Sequence, residues 1–253
     1  MITSSGGSVP GIRPEADTRS ALAPQPRATL TRLAEFGTGF VKRNGGRVLL
    51  VFLGVLLPLW GFGELAAGVR ADATFAFDQP VLEFAHALAR GGLDRVFVVL
   101  SALGYLYGVI PADIALVAGL AWRRRLREAT FALLALGGAA GLNILAKRTF
   151  ARERPQLWES IAPEITYSFP SAHAMGSMAL ACVLVLLAWP SRWRWWVAVP
   201  AALFVLGVGL SRVYLGVHYP SDILAGWAAA LVWSIAVHGL VFRRVKPWAT
   251  RKD

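Results

Sequence analysis

Long apolar stretches limit more strongly than any other feature how this chain can fold. Six of them reach, or nearly reach, the roughly 20 residues that a helix needs to cross the hydrocarbon core of a bilayer. Hydrophobic residues make up 56% of the 253 residues and charged residues only 16%, a balance too apolar for a soluble domain of this length. We therefore expect an all-α fold, a polytopic membrane helix bundle with six transmembrane helices. The expected spans are about 48–68, 96–122, 128–146, 172–189, 195–213 and 222–242.

Basic residues outside the spans indicate the orientation, because basic loops stay on the cytoplasmic side of a membrane. With both termini in the cytoplasm of a cell (inner) membrane, the larger group of Lys and Arg flanks the cytoplasmic ends of the spans. The net charge of +11 then reflects topology, and no nucleic-acid partner is expected. The cytoplasmic group is Lys42, Arg43, Arg47, Arg123, Arg124, Arg125, Arg127, Arg192, Arg194, Arg243, Arg244, Lys246, Arg251 and Lys252; the outer group is Arg70, Arg90, Arg95, Lys147, Arg148, Arg152, Arg154 and Arg212.

We expect one membrane domain between two cytoplasmic tails. Residues 1–45 combine Ser, Gly, Pro and charges of both signs without an early apolar core, which indicates a flexible tail rather than a signal peptide. Residues 46–243 carry the six spans, and residues 244–253 form a short basic tail. Between the first two spans, residues 71–92 mix apolar and polar side chains in the pattern of a short helix lying on the outer surface.

Three polar motifs fall on the expected outer face, at the ends of four different spans. The first reads K-x6-R-P and follows the third span with Lys147 and Arg154. The second, P-S-A-H at 170–173, opens the fourth span. The third reads S-R-x5-H-x3-D and joins the fifth span to the sixth; its polar members include Arg212, His218 and Asp222.

The residue types in these motifs suit a phosphate ligand. Lys147, Arg154 and Arg212 supply positive charge to a group that carries about two negative charges near neutral pH, and Arg adds fork-shaped hydrogen bonding. Ser171 is a favoured N-cap, and the free N–H groups of the helical turn behind it bind anions readily. The motifs therefore predict a phosphate site at the outer end of the bundle.

Two histidines and a carboxylate add reactive groups to this site. His218 and Asp222 are four residues apart, so one helical turn places them within hydrogen-bonding reach. Asp222 would fix the imidazole tautomer and stabilise its positive form, which leaves His218 free to attack phosphorus and form a phosphohistidine. His173, from another span, would protonate the departing oxygen and later activate water.

The three motifs resemble the signature motifs of the type 2 phosphatidic acid phosphatase superfamily of lipid phosphatases, which also contains glucose-6-phosphatase and vanadium-dependent haloperoxidases. The match covers residues 147–222, and the six-span layout extends it to most of the chain. The resemblance implies a set of phosphate-binding groups with His173 as acid, His218 as nucleophile and Asp222 as its orienting group. The implied phosphate-binding groups are Lys147, Arg154, Ser171, the backbone of Ala172, and Arg212.

Ala172 departs from the family pattern, in which the second motif usually reads P-S-G-H. Alanine adds only a methyl group, so we expect activity to survive. The resemblance further implies an integral membrane lipid phosphatase acting at the outer membrane face. Its substrate would be a phospholipid or polyprenyl phosphate, with phosphatidic acid, phosphatidylglycerol phosphate and polyprenyl pyrophosphate among the candidates.

Other functions remain open beside hydrolysis. A phosphotransferase would pass the phosphoryl group to another lipid, a non-catalytic transporter or binding protein would hold a lipid phosphate without cleaving it, and a haloperoxidase would reuse the site. A metal held by His173, His218 and Asp222 is disfavoured because three neighbouring cations would repel it, so no metal or cofactor is expected. The expected partners are the bilayer and the lipid substrate, and the oligomeric state is not predicted.

Several remaining polar residues receive structural interpretations. Asp113 lies well inside the second span, where an acid is a functional candidate by default; we expect a buried, hydrogen-bonded acid there. His86 and His238 lie outside the motifs and are expected to be structural. Cys182, the only cysteine, stands among apolar neighbours and is expected to be a core residue.

Overall fold

The computed structural model divides the chain into two units, Met1–Val48 and Leu49–Asp253. Nearly all of the described residues belong to the second unit. The expected tails at 1–45 and 244–253 therefore lie almost wholly outside the described residues, and their structure stays a prediction. The structure describes Met1, 45–46, 49, 51–89, 91–243 and 247–248.

Helices account for all the regular structure within these described ranges, so the expectation of an all-α fold is confirmed there. A short π-helical turn, Phe52–Leu56, leads directly into the first α-helix. The α-helices are α1 (Leu57–Arg70), α2 (Asp78–Ala87), α3 (Gly91–Leu103), α4 (Val109–Trp122), α5 (Leu126–Phe150), α6 (Ala172–Ala188), α7 (Arg194–Tyr214) and α8 (Pro220–Val241).

Four helical segments of the described chain are long and apolar enough to cross a bilayer, namely Phe52–Arg70, α5, α7 and α8. Helices α4 and α6 are also apolar, but they have only 14 and 17 residues. Both are shorter than the roughly 20 residues that a full crossing requires. Within the described ranges, the structure thus has four helical segments of full spanning length and two shorter apolar helices where the sequence predicts six spans, so the six transmembrane helices are not confirmed.

The expected second span, 96–122, is interrupted in the structure. It consists of α3 and α4, joined by a short turn. Gly108 allows the chain to approach itself at this turn, since a Cβ there would lie 2.2 Å from the carbonyl oxygen of Leu103. The expectation of one continuous span is wrong, and the turn places the ring of Tyr105 beside that of His173, with 5.1 Å between centroids.

Small residues line the centre of the bundle, where α6 contacts α5, α7 and α8. Ala135 and Ala139 of α5 are buried in the same cluster as Ala179 of α6 and Ala230 of α8. Small side chains let neighbouring helix backbones approach closely. This packing brings the C-terminal ends of α5 and α7 and the N-terminal ends of α6 and α8 together at one end of the bundle.

The short helix expected within 71–92 is present as α2, and it packs against α7 and α8 at that same end. Leu82 is fully buried and packs in a cluster with Val213 and Ile223. Asp78, in the first turn of α2, is only 4% exposed. A surface helix was expected, yet α2 inserts an apolar and an acidic side chain into the protein.

Candidate active site

The turn between α7 and α8 holds His218 in a fixed position. Gly216 has a φ of +67°, a backbone conformation that residues other than glycine rarely adopt. A Cβ at this position would also lie 2.6 Å from the indole of Trp158. Helix α8 then begins at once, and both His218 and Asp222 are 0% exposed. The Nδ1 of His218 lies 3.2 Å from Oδ2 of Asp222. The expected one-turn contact is therefore present.

The second ring nitrogen of His218 faces Arg154, whose Nη1 lies 3.1 Å from Nε2. A guanidinium group can only donate, so Nε2 must accept and the ring proton sits on Nδ1, where it donates to Asp222. Burial, reinforced by the positive charges of Arg154, Arg212 and Lys147, holds the pKa of His218 well below its usual value. The imidazole is thus neutral, with its lone pair directed at the cationic side of the site.

The cations of the first and third motifs converge on one loop segment, Glu164–Tyr167, which we call the cap segment. Lys147 donates through Nζ to Oγ1 of Thr166, at 3.2 Å, and to the carbonyl oxygen of Tyr167. Arg154 donates through Nε to the carbonyl oxygen of Thr166 at 2.6 Å. The predicted phosphate-binding side chains are therefore brought together, and the cap segment supplies acceptors for them.

Glu164 provides the negative charge at the centre of these cations. Its Oε2 accepts from Nη2 of Arg154 at 2.6 Å, and its Oε1 accepts from Nη2 of Arg212. The same Oε1 lies 3.8 Å from Nδ1 of His173. Sequence reasoning missed Glu164, although an acidic residue in a loop that follows a basic motif is a signal of charge pairing.

Arg212 is held from a second side by α3. It is 1% exposed, and its Nη1 donates to Oγ of Ser101, a buried residue of α3. Nothing in the sequence near Ser101 identifies this contact, because the two residues are far apart in the chain. The interruption between α3 and α4 is thus placed close to the site rather than deep in the bundle.

The second motif starts α6 as its sequence predicts. Ser171 is the N-cap, and its Oγ accepts from the backbone N–H of Ala174 at 3.5 Å. Asn143 of α5 supports this helix start by donating to the carbonyl oxygen of Pro170 at 3.1 Å. His173 follows in the first turn, 9% exposed, and its Nδ1 has no hydrogen-bond partner among the described residues. Ala172 lies between Ser171 and His173, so its backbone N–H is one of the first-turn N–H groups that have no acceptor within the helix.

A family model, described as the PAP2 superfamily, matches residues 128–246, which include the three motifs. Over 169 residues the chain is 37% identical to a decaprenylphosphoryl-5-phosphoribose phosphatase of Mycolicibacterium smegmatis, a match that covers 65% of this chain and 81% of the relative. The chain belongs to the PAP2 superfamily. It is accordingly a membrane protein and a phosphatase.

Two further comparisons place this PAP2 phosphatase among bacterial relatives. It is 29% identical over 183 residues to phosphatidylglycerophosphatase B of Bacillus subtilis (strain 168), covering 69% of this chain and 88% of the relative. It is also similar to a crystal structure of a transmembrane PAP2 type phosphatidylglycerolphosphate phosphatase from Bacillus subtilis, with a TM-score of 0.68 and 26% identity. That similarity covers 77% of this chain and 98% of the other.

Asp113 differs from its expected state in this PAP2 phosphatase. Its Oδ1 is buried without a hydrogen-bond partner in the described part of the chain, so the expectation of a hydrogen-bonded acid is wrong for that oxygen. The side chain lines a small cavity of about 110 Å³ together with Tyr105 and Ala172. By contrast, His86 stacks on Trp158 with 4.1 Å between ring centroids, as a structural residue would.

Proposed function

We propose that this PAP2 phosphatase hydrolyses a lipid phosphate monoester or diphosphate through a phosphohistidine on His218. One observation carries the proposal. The unprotonated Nε2 of the buried His218 faces the cluster of cations, while Nδ1 is held by Asp222. This arrangement directs a lone pair toward the place where positive charge would bind a phosphoryl group.

Binding begins with an exchange of anions at the cap segment. The substrate phosphate, with about two negative charges, takes the place of the single negative charge of Glu164 between Arg154 and Arg212. Lys147 contributes a third positive charge. The phosphate oxygens also accept hydrogen bonds from the Ser171 hydroxyl and from the backbone N–H groups at the start of α6, including that of Ala172. The N-terminus of a helix favours such anion binding.

The first chemical step forms one bond and breaks another at phosphorus. Nε2 of His218 attacks in line, a P–N bond forms, and the P–O bond to the lipid breaks. His173, which takes up a proton when the substrate dianion binds among the cations, donates that proton to the departing lipid oxygen, and the lipid leaves as an alcohol or, from a diphosphate, as a lipid monophosphate. Asp222 stabilises the positive charge that the imidazole acquires, and the cations stabilise the phosphoryl oxygens.

The second step releases inorganic phosphate. His173, now neutral, accepts a proton from a water molecule as the water oxygen attacks phosphorus. The P–N bond breaks, and His218 recovers its lone pair. A phosphotransferase would use a second lipid alcohol in place of water at this step.

An apolar cavity supports a lipid as the substrate. It has a volume of about 360 Å³, lies between α1, α5 and α8, and is lined by Phe62, Leu145 and Trp233. One end is formed by Phe150 and Pro170, directly beside the phosphate-binding motifs. An apolar cavity of this kind is suited to bind a hydrocarbon chain. Two of the relatives are named for a decaprenyl-linked and a phosphatidylglycerol-linked substrate.

The proposal places the catalytic end at the extracytoplasmic face of the cell membrane, with both termini cytoplasmic. The charge distribution along the sequence supports this orientation, because the ends of the spans opposite the site carry the larger group of basic residues. Residues 46–243 then form the catalytic membrane domain, between tails at 1–45 and 244–253. Reporter fusions after Arg125 and after Pro163 test this orientation, which requires the first in the cytoplasm and the second outside.

The test of function is phosphate release by purified protein in lipid nanodiscs. The candidate substrates are phosphatidic acid, phosphatidylglycerol phosphate and a polyprenyl diphosphate, each assayed with and without an acceptor lipid. The wild type should release inorganic phosphate, His218→Ala should not, and the exposed His86→Gln serves as the matched control. Tight lipid-phosphate binding without phosphate release would contradict hydrolysis, and labelled transfer to the acceptor would show a phosphotransferase.

A further inference from the structure

A second arginine of the first motif lies on the other side of Asp222. Arg152 is two residues before Arg154, and the two side chains point to different partners. Nη1 of Arg152 donates to Oδ1 of Asp222 at 2.7 Å, whereas Arg154 reaches His218. Oδ2 of Asp222 accepts from the backbone N–H of Tyr219 at 3.0 Å and lies next to His218. Both carboxylate oxygens of Asp222 are therefore bound from within the protein.

Asp78 of α2 completes this arrangement from a distant part of the sequence. Its Oδ2 accepts from Nη2 of Arg152 at 3.0 Å, and its Oδ1 accepts from the backbone N–H of Ser221 at 2.8 Å. The Ser221 hydroxyl donates to Oδ2 of Asp78 at 2.6 Å and accepts from Nη1 of Arg152 at 2.8 Å. Asp78, Arg152 and Asp222 thus form a continuous hydrogen-bonded chain of charges with Arg152 in the middle, which we call the anchor cluster.

Aromatic rings and burial fix the central member of the anchor cluster. The guanidinium carbon of Arg152 lies 4.0 Å from the ring centroid of Tyr219 and 5.7 Å from that of Phe75. The side chains of Asp78 and Asp222 are 5% and 0% exposed. Planar guanidinium groups stack on such rings and bind carboxylates with fixed geometry. A lysine at position 152 would keep the charge but lose most of these contacts.

The charges of the anchor cluster suit a role in orienting His218. A buried carboxylate without partners tends to take up a proton, and a protonated Asp222 would no longer stabilise a positive imidazole. The ion pair with Arg152 at 2.7 Å favours the ionised form of Asp222, but alone it would also cancel the negative charge that His218 experiences. Asp78 balances Arg152, so the cluster retains one net negative charge beside the nucleophile.

From this geometry we infer that Arg152 and Asp78 are positioning residues for the phosphatase reaction, acting on His218 through Asp222. The inference rests on the proposed function, because it assigns these residues to the step in which His218 attacks phosphorus. In the part of the chain that the structure describes, no hydrogen bond or ion pair joins either residue to the proposed phosphate-binding cations, so substrate binding should depend on them little. Helix α2 therefore contributes to the site through Asp78, which holds Arg152 against the carboxylate of Asp222.

Arg152→Gln tests the cationic member. We expect kcat to fall on the order of 10- to 100-fold with little change in KM or in inhibition by vanadate, because a supporting partner is lost while the phosphate site stays intact. The loss of kcat/KM on acidification should begin at higher pH than in the wild type, because a positive charge near His218 has been removed. Arg152→Lys should restore the pH profile and part of kcat. Arg148→Gln, an exposed cation on α5, is the matched control.

Asp78→Asn tests the acidic member and should move the pH profile the other way. It removes a negative charge near His218, so the acidic loss of kcat/KM should begin at lower pH, accompanied by a fall in kcat. The double variant should return the pH profile toward that of the wild type. The charged groups around Asp222 and His218 that stay constant in this comparison are Lys147, Arg154, Glu164 and Arg212. Glu83→Gln, exposed on the same helix, is the matched control.

Opposite pH shifts would distinguish positioning from general structural support. If both variants lost kcat, vanadate binding and folded protein in parallel, with unshifted pH profiles, the inference would be wrong. An unchanged kcat in Arg152→Gln would also contradict the inference. If that variant folds poorly, kcat and the pH profile are compared among Arg152→Lys, Asp78→Asn and the wild type instead. Failure of the wild type to release lipid phosphate would count against the proposed function, whereas an active wild type with indifferent variants would overturn only this inference.

Discussion

Two carboxylates flank the site around His218, and they differ in what holds them. Asp222 has a fully buried side chain and is bound by Arg152, the Tyr219 backbone and His218, none of which is a predicted phosphate ligand. The Glu164 side chain is 26% exposed on a loop, and it is bound by Arg154 and Arg212, which are predicted phosphate ligands. In the proposed mechanism, Asp222 belongs to the fixed catalytic frame, and Glu164 occupies the place that the substrate anion would take.

The side of the site around Asp222 is organised before substrate arrives, since every charge there is already paired. The side around Glu164 would have to exchange partners, since the proposed substrate phosphate uses the same donors. Substitutions around Asp222 should therefore lower mainly kcat, whereas substitutions around Glu164 should change phosphate binding as well.

The largest effect is expected for Asp222→Asn. An amide at this position cannot stabilise a positive imidazole and favours the wrong ring tautomer, so kcat should fall by about 10⁴-fold, as for the acid of a catalytic triad. Phosphate binding should remain, because the cations are untouched. Turnover measured in nanodiscs, together with vanadate binding, checks this, and a loss of vanadate binding equal to the loss of kcat would break the distinction between the two sides.

Arg212→Gln should produce the next largest effect. It removes a buried donor that would face the transferring phosphoryl group, so kcat/KM should fall by about 10²- to 10³-fold. Because the lost interaction includes ground-state binding, inhibition by inorganic phosphate should weaken as well. Steady-state kinetics with inorganic phosphate as inhibitor measures both. A fall in kcat with unaltered phosphate inhibition would contradict this, because Arg212 would then behave like the residues around Asp222.

Glu164→Gln should have a smaller effect of the opposite sign. Removing the internal anion raises the fraction of sites ready for phosphate, so inhibition by inorganic phosphate or vanadate should strengthen by about 3- to 10-fold. Glu159→Gln, in the same loop, is the matched control. If inhibition weakened instead, Glu164 would be a support for Arg154 and Arg212 rather than a competitor of the substrate.

The pH dependence of the wild type should show the mildest effect. The proposed nucleophile must be neutral to attack, and the pKa of His218 is held well below its usual value by burial and by Arg154, Arg212 and Lys147. Activity that depends on neutral His218 therefore persists as the pH falls and is lost only when that lowered pKa is reached. A profile of kcat/KM that lost activity with an ordinary histidine pKa of about 6.5 would contradict this account.

The sequence allowed the general fold and much of the site to be predicted for physical reasons. Apolar runs and basic flanks indicate a helical membrane bundle, and the local spacing of His218 and Asp222 suffices to predict their contact. The break in 96–122 could not be foreseen, because its residues are as apolar as a continuous span. Only the paired glycines, Gly104 and Gly108, distinguish it, and glycine is common in membrane helices.

The supporting residues of the site were not predictable from local patterns. Asp78 and Arg152 are 74 positions apart, and Ser101 meets Arg212 across 111 positions. Such contacts follow from helix packing, which hydropathy does not encode. In the sequence, Asp78 is one polar residue of the segment 71–92, and Arg152 is one of eight basic residues in the outer group.

The central claim, that His218 becomes phosphorylated, is tested most directly by trapping the intermediate. Wild-type enzyme is mixed with a lipid substrate labelled in its terminal phosphate, quenched within one turnover at alkaline pH, and digested for mass spectrometry. The account predicts an acid-labile phosphoryl group on His218 in the wild type and none in His218→Ala. Phosphate release without any label on His218, or a label on another residue, would contradict it.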